Sequence, residues 1–192
     1  MVFSDRQIEI LGISLEIISK EGIQNFTMRQ IAAEAGISEP AIYRHFPSKV
    51  AILEALLDQF AMRHQALAAT YLDGKDFAKA GEFMLAVLKN LSERPALSAI
   101  IFSEEIFRNE PVLREKIKAI TESTQAAMVS HLNHFPIAKV LPVEQLVWML
   151  MGSVRFLVAR WRLSDFGFDL EKEGKPFIKN LMKLHANKEN EK

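Results

Sequence analysis

The segment TMRQIAAEAGISEPAIYRHFPSK, residues 27–49, contains the clearest structural pattern in the chain. Its first residue, Thr27, directly precedes a run of apolar residues at helical spacing, and Gln30 follows three residues later. A threonine and a glutamine at this spacing form a capping box, in which each side chain bonds to the backbone of the other. The segment therefore predicts a short helix over about residues 28–35.

A second short helix is predicted immediately afterwards. Gly36 interrupts the first helix, Ser38 has the character of an N-cap, and Pro40 fits the first turn of a new helix. The second helix then covers about residues 39–46. A longer helix with one apolar stripe, residues 5–21, comes first, and two short helices packed on a longer one form a helix-turn-helix.

The second short helix of such a unit enters the major groove of DNA. Ile42 and Phe46 are four residues apart and are predicted to point to the core, so the rest of this helix faces outward. Residues at the neighbouring helix starts surround the same face, where helix N-termini favour phosphate. The predicted DNA-contacting residues are Thr27, Arg29, Glu39, Ala41, Tyr43, Arg44, His45 and Lys49.

The chemistry of these side chains suggests individual roles. Tyr43 and Lys49 suit phosphate oxygens, and Arg44 suits either a guanine edge or a phosphate. Ala41 can pack against a thymine methyl group, whereas Glu39 accepts from cytosine and repels phosphate. A glycine-centred pair of short helices also occurs in all-α proteins that never bind DNA, so spacing alone leaves both interpretations open.

The segment 27–49 resembles the signature of the tetracycline-repressor (TetR) family, and the resemblance extends over roughly residues 5–60. The positions in register are Thr27, Ile31, Ala32, Gly36, Ser38, Tyr43, Phe46 and Lys49. The resemblance implies a homodimer whose two heads read a pseudo-palindromic operator, usually to repress transcription. It also implies that the eight predicted contact residues touch DNA, and that an effector releases the DNA by moving the helix that follows the head.

The remainder of the chain indicates an all-α protein of about nine helices. Residues 1–50 are predicted to form the DNA-binding domain, and residues 51–192 an effector-binding and dimerisation domain. The fourth helix is predicted to run from residue 49 to about residue 72. Helix-breaking glycine and proline residues then divide the body into helices near residues 75–93, 95–109, 111–134, 142–163 and 171–186.

The last two predicted helices are candidates for a subunit interface. Around Leu146–Val154 the helix 142–163 is apolar on all sides, so a soluble protein must bury all of it. Helix 171–186 has a wide apolar face. Two such helices from each chain would form an isologous four-helix interface. A monomer with one large core is the alternative.

Large flexible apolar side chains are frequent in the body, and such residues line adaptable pockets. A small apolar effector is therefore predicted, although the same residues at helical spacing also form ordinary cores. An arginine after an apolar run could bind an effector carboxylate, or it could pair with an acidic side chain. The predicted effector-binding residues are Met84, Phe102, Trp148, Met151 and Arg155.

Composition limits the other possibilities. The formal net charge is zero, and residues 1–50 hold five basic and six acidic residues, so DNA affinity must depend on where the charges lie. The chain has no cysteine, which excludes disulfides and thiolate metal sites. No signal peptide or membrane-spanning run is recognisable, and we expect a cytoplasmic protein without cofactor or metal.

Two other classes of function remain open. An enzyme is disfavoured because the chain contains no phosphate-binding loop, HExxH motif or nucleophile elbow. His131 and His134, with carboxylates from Glu104 and Glu105, are a conceivable metal site, although solvated helix faces explain these residues better. The second class is a DNA-bound interaction protein whose body binds another protein and no small effector.

Overall fold

The computed structural model describes residues 3–136 and 141–185, and every regular element within them is an α-helix. The predicted all-α class is therefore confirmed. These ranges hold ten helices, one more than predicted. The helices are α1 (Asp5–Glu21), α2 (Met28–Glu34), α3 (Glu39–His45), α4 (Lys49–Tyr71), α5 (Lys79–Ser92), α6 (Pro95–Ile101), α7 (Glu104–Asn109), α8 (Pro111–Leu132), α9 (Val143–Leu163) and α10 (Leu170–His185).

The additional helix arises because the predicted helix 95–109 is broken after Ile101. Phe102 caps α6, and its N–H still bonds to the Ser98 carbonyl at 3.2 Å. The Ser103 carbonyl then accepts the N–H of Phe107 at 3.3 Å, which begins a new helical turn. The continuous prediction was therefore wrong at this point. Residue 186, the predicted end of the last helix, lies outside the described residues.

The helix predicted from residue 75 begins only at Lys79, because aspartate side chains hold the preceding residues in turns. The Asp73 carboxylate accepts the N–H of Lys75 at 3.1 Å, and the Asp76 carboxylate accepts the N–H of Ala78 at 2.9 Å. Such local bonds compete with the helical pattern. His131 of α8 fastens the same loop, since its Nδ1 accepts the Gly74 N–H at 2.9 Å.

The described chain forms two compact units. The first comprises the residues up to Ala61 together with Arg94–Lys118, and here α1 packs on α2 and α6. The second comprises Met62–Glu93 together with the described residues from Ala119 onward, and here α5, α9 and α10 pack on one another. The boundary near residue 50, predicted on functional grounds, stays a prediction.

A buried histidine lies in the core of the second unit. Nε2 of His64 is 2.7 Å from the Thr124 hydroxyl, which donates its own proton to the Ile120 carbonyl at 2.7 Å. The hydroxyl therefore accepts from Nε2–H, so the neutral ring is held in that tautomer. The His64 ring also meets Phe83 edge-on, with 5.3 Å between ring centroids. Burial lowers the pKa of His64 from 6.5 to about 4.

We expect this histidine to make the protein less stable in mild acid. The unfolded chain takes up a proton near pH 6.5 while the folded chain resists protonation down to about pH 4, so stability falls as the pH drops through this window. The loss from this residue should reach about 2 kcal/mol at pH 5. Urea unfolding at pH 7 and pH 5 measures the change in the free energy of unfolding.

The matched variant for this measurement is His64→Gln, whose side-chain amide can still donate to Thr124 but does not titrate. Between pH 7 and pH 5, the free energy of unfolding of this variant should fall by about 2 kcal/mol less than that of the parent protein. Equal pH dependence in the two proteins would show that His64 is not buried in its neutral form.

Candidate nucleic-acid interface

The turn between α2 and α3 has a defined hydrogen-bonding pattern. Gly36 adopts a φ of 63°, and its N–H bonds to the Ala33 carbonyl at 3.2 Å. The N–H of Ile37 returns to the Ala32 carbonyl at 3.0 Å. These two bonds form a Schellman motif, which ends a helix through one left-handed residue. The turn predicted around Gly36 is therefore confirmed, and it fixes the direction in which α3 departs.

We expect Gly36→Ala to destabilise the protein by about 1–2 kcal/mol, because a side chain is strained in the left-handed region. A Cβ at this position would have no atom of the described residues within 4 Å, so the backbone alone causes the loss. Gly12, inside α1 and equally open, is the matched control: Gly12→Ala should stabilise the protein by about 0.5–1 kcal/mol. Urea unfolding measures both, and equal effects would contradict the role given to Gly36.

The predicted capping box at the start of α2 is confirmed. The Thr27 hydroxyl oxygen accepts the Gln30 N–H at 3.2 Å, and Oε1 of Gln30 accepts the Thr27 N–H at 3.1 Å. Gln30 also donates through Nε2 to Glu21 at the end of α1, at 2.5 Å. Ser38 lies at the N-cap of α3 as predicted, but its side chain makes no capping hydrogen bond.

Two side chains from the first turn of α1 hold the helix-turn-helix in place. The Arg6 guanidinium donates through Nη2 to the Ala35 carbonyl at the end of α2, at 2.8 Å. Gln7 donates through Nε2 to the His45 carbonyl in the last turn of α3, at 3.2 Å. These bonds satisfy carbonyls that helix ends leave without partners. Sequence reasoning missed both residues, although each lies in the first turn of a predicted helix.

The structure places the inner and outer sides of α3 as the spacing predicted. Ile42 has no exposed surface and Phe46 is also buried, so both belong to the core. Tyr43 and Arg44 are exposed on the opposite side, with 46% of the Tyr43 surface accessible. Of the other predicted contact residues, Thr27 and Arg29 are exposed, and those that are half-buried are Glu39, Ala41, His45 and Lys49.

The cationic side chains of this set are available to an anion. Arg29, Arg44 and Lys49 make no ion pair with any carboxylate in the described part of the chain. The Lys49 ammonium lies 5.9 Å from the centroid of the Phe26 ring, a cation–π distance that keeps it near the head. Lys49 also begins α4, where the partial positive charge of the helix end adds to its own.

The predicted effector residues are distributed over both units. Phe102 is half-buried in the first unit, whereas the other four belong to the second. Met84 of α5 is buried in the core. On α9, Met151 is half-buried and Arg155 is exposed, and 58% of the Trp148 surface is accessible. The effector site stays a prediction.

The conceivable metal ligands have structural roles. Both ring nitrogens of His131 contact the loop before α5, with Nε2 3.1 Å from the Asp76 carbonyl oxygen, and burial lowers its pKa. His134 donates through Nδ1 to the Ser130 carbonyl at 2.8 Å. The side chains of Glu104 and Glu105 lie outside the described part. The described residues contain no group of three or more histidine, aspartate or glutamate side chains that could together hold a metal ion.

Among the residues that the structure describes, no α-helix combines the length and the apolar composition that a membrane-spanning segment requires.

Residues 10–56 match the family model described as bacterial regulatory proteins of the tetR family. This range includes α2, α3 and the turn between them. The nucleoid occlusion factor SlmA of Aliivibrio fischeri is 30% identical to the chain over 171 residues, which cover 85% of this chain and 87% of that protein.

Two solved structures show the same fold. FadR from Bacillus subtilis, in complex with stearoyl-CoA, superposes with a TM-score of 0.74 at 18% identity, covering 91% of this chain and 97% of that one. SmeT, in complex with triclosan, superposes with a TM-score of 0.79 at 20% identity, covering 96% and 93%. The chain therefore belongs to the tetR family of bacterial regulatory proteins, which are DNA-binding transcription regulators.

Proposed function

We propose that the chain is a homodimeric repressor that binds a pseudo-palindromic operator and is released by a small effector. The observation that carries the proposal is the outer side of α3, where Tyr43 and Arg44 are exposed while Ile42 anchors the helix from within. As a regulator of transcription, the protein would act in the cytoplasm, where bacterial DNA lies.

The side chains around α3 divide into two groups by their role on the duplex. Tyr43 and Lys49, with Arg29 and Thr27 near the start of α2, would contact phosphates and set the register. Arg44, together with the half-buried Glu39, Ala41 and His45, would approach the base edges. Phosphate contacts supply affinity without sequence information, whereas base contacts supply specificity. This arrangement lets a head with no net positive charge bind DNA, since the cations lie where phosphates would be.

An exposed apolar stripe on α9 supports the homodimer. Its buried side packs within the second unit, but Trp148, Met149, Phe156 and Leu163 on the other side are 58%, 41%, 62% and 89% exposed. At 100° per residue these four lie along one side of the helix, and Gly152 lies between them. A contiguous exposed apolar surface marks an interaction site.

On α10, Phe177 and Leu184 are 49% and 70% exposed and extend the apolar surface offered to a partner. The proposed interface is isologous, with α9 and α10 of each chain packing against the same helices of the other. Such a dimer has two DNA-binding heads, and both copies of α3 would have to reach major grooves on the same side of the duplex.

The proposed effector is a small, largely apolar molecule bound within the second unit, near the predicted residues Met84, Met151 and Arg155. The supporting observation is that FadR and SmeT, which share the fold, were solved with stearoyl-CoA and triclosan. A ligand that favours a spacing of the two heads unsuited to the operator would release the DNA by population shift.

The second candidate is a DNA-bound interaction protein. It is favoured by the similarity to proteins named nucleoid occlusion factor SlmA, which are 30% identical to the chain over most of its length. That name refers to nucleoid occlusion and not to a small effector. In this case the apolar surface or the body would bind another protein.

Selection of binding sites from a random pool of DNA duplexes, using the purified full chain, tests the DNA-binding part of the proposal. The selected duplex then allows the two candidates to be separated by fluorescence anisotropy. Release of the DNA by stearoyl-CoA, triclosan or another small apolar compound would support the effector-controlled repressor. If no compound in a broad apolar collection changes the affinity, the interaction protein is the better interpretation.

A further inference from the structure

A groove of about 580 Å³ runs between α5 and α10 within the second unit. Its floor is apolar: Phe77, Gly81 and Leu85 form one side, and Ile178 and Met182 form the other. Gly81 keeps this space open, because a Cβ there would lie only 3.1 Å from Cγ of Met182. Sites for small ligands are concave, mostly apolar and about 300–1,000 Å³ in volume, and the groove has all three properties.

The rim of the groove on α10 carries a row of three lysines. Lys175, Lys179 and Lys183 follow one another at intervals of four residues, so they lie about 6 Å apart along the helix. All three are exposed, and none makes an ion pair with a described carboxylate. Glu82 is the one acidic side chain among the described residues that line the groove. The groove therefore combines an apolar floor with a predominantly positive edge.

The lysine row lies on the side of α10 away from the proposed dimer interface. The buried line of this helix passes through Gly174 and Ile178. At 100° per residue, the lysines lie on one flank of that line, whereas Phe177 and Leu184 lie on the other. A second copy packed against Phe177 and Leu184 would therefore leave the groove uncovered.

We propose that this groove binds a free long-chain fatty acid, with its alkyl chain along the floor and its carboxylate at the lysine row. A linear anionic amphiphile matches both parts of the site, since the floor removes apolar surface from water and the lysines compensate one negative charge. The proposal rests on the groove alone, because none of the predicted effector residues lines it.

The ordinary role of these lysines would be to cover apolar surface with their stems while their ammonium groups remain in water. Replacing all three by glutamine keeps much of each stem and removes the charge, so it separates this role from ligand binding. A matched triple variant, Lys20→Gln with Lys89→Gln and Lys118→Gln, removes the same charge from exposed lysines elsewhere.

Titration calorimetry of the full-length protein with monomeric oleate, below its critical micelle concentration, tests the proposal. We expect saturable binding of one oleate per chain, weakened about tenfold or more by the groove triple variant and unchanged by the control triple variant. Leu85→Glu, which places a carboxylate on the floor, should weaken binding at least as much. Methyl oleate, which has the same chain without the charge, should bind more weakly than oleate.

Three results would overturn the proposal. The first is the absence of saturable oleate binding. The second is equal oleate affinity in the parent, the groove triple variant and Leu85→Glu. The third is lysine-dependent capture of the protein by phosphatidylglycerol vesicles without binding of monomeric oleate, which would assign the lysine row to a membrane surface. Circular dichroism of each variant verifies that it is folded before its affinity is compared.

Discussion

Phe156→Glu should convert the protein from a dimer into a folded monomer and weaken its binding to the selected duplex on the order of 100-fold. Phe156 is 62% exposed on α9, so the single chain loses little by the change. In an isologous dimer the substitution would bury two unpaired carboxylates, and each buried charge without a partner costs several kcal/mol. Sedimentation velocity measures the assembly, and fluorescence anisotropy measures the affinity for DNA.

Met62→Glu is the matched control for this experiment. Met62 is an exposed apolar residue of α4, with 46% of its surface accessible, and it lies on neither α9 nor α10. The control should remain a dimer and bind DNA as the parent does. A Phe156→Glu protein that still sediments as a dimer would exclude the α9 stripe as the interface, and a monomeric parent would exclude the proposed homodimer altogether.

Arg44→Ala should weaken binding to the selected duplex about tenfold or more and also relax the preference for bases in each half-site. Arg44 is exposed on the outer side of α3 and makes no ion pair within the described chain. A bidentate contact to guanine contributes about 1–3 kcal/mol of discrimination. Competition between the selected duplex and duplexes with single base changes, measured by anisotropy, quantifies both effects.

Substitution of the predicted phosphate contacts should give a different result. Tyr43→Ala and Lys49→Ala are expected to weaken binding to all duplexes to a similar extent. Lys49→Ala should also make the slope of log affinity against log salt concentration shallower by about one, because one phosphate contact is lost. Arg63→Ala, an exposed arginine of α4 outside the head, is the control and should bind normally. Unchanged affinity in all three head variants would mean that the DNA-binding face has been placed on the wrong side.

Sequence reasoning succeeded in the head because the determinants there are local. The capping box of Thr27 and Gln30 and the left-handed turn at Gly36 depend on residues within a few positions of each other. The contacts that fix the helices relative to one another could not be obtained in this way. Arg6 bonds to Ala35 across 29 positions, and Gln7 bonds to His45 across 38.

In the body, too, contacts between residues that are far apart in sequence could not be predicted. The pattern of α9 indicated apolar residues on all sides, but only the packing of α5 and α10 reveals that the stripe containing Phe156 is the exposed one. His64 has a partner 60 residues away, and its burial could not be read from its neighbours in sequence. Likewise the start of α5 depends on His131, which fastens the preceding loop from α8.

Hydroxyl-radical footprinting of the purified protein on its selected duplex tests whether α3 is the helix that reads the DNA. If two copies of α3 insert into successive major grooves, the pattern will have two-fold symmetry, with half-sites centred about one helical turn (10–10.5 base pairs), or a multiple of it, apart. Arg44→Ala should weaken protection at both half-sites equally. A protein that protects no duplex, or a footprint unaffected by Arg44→Ala, would contradict the assignment of α3 as the DNA-reading helix.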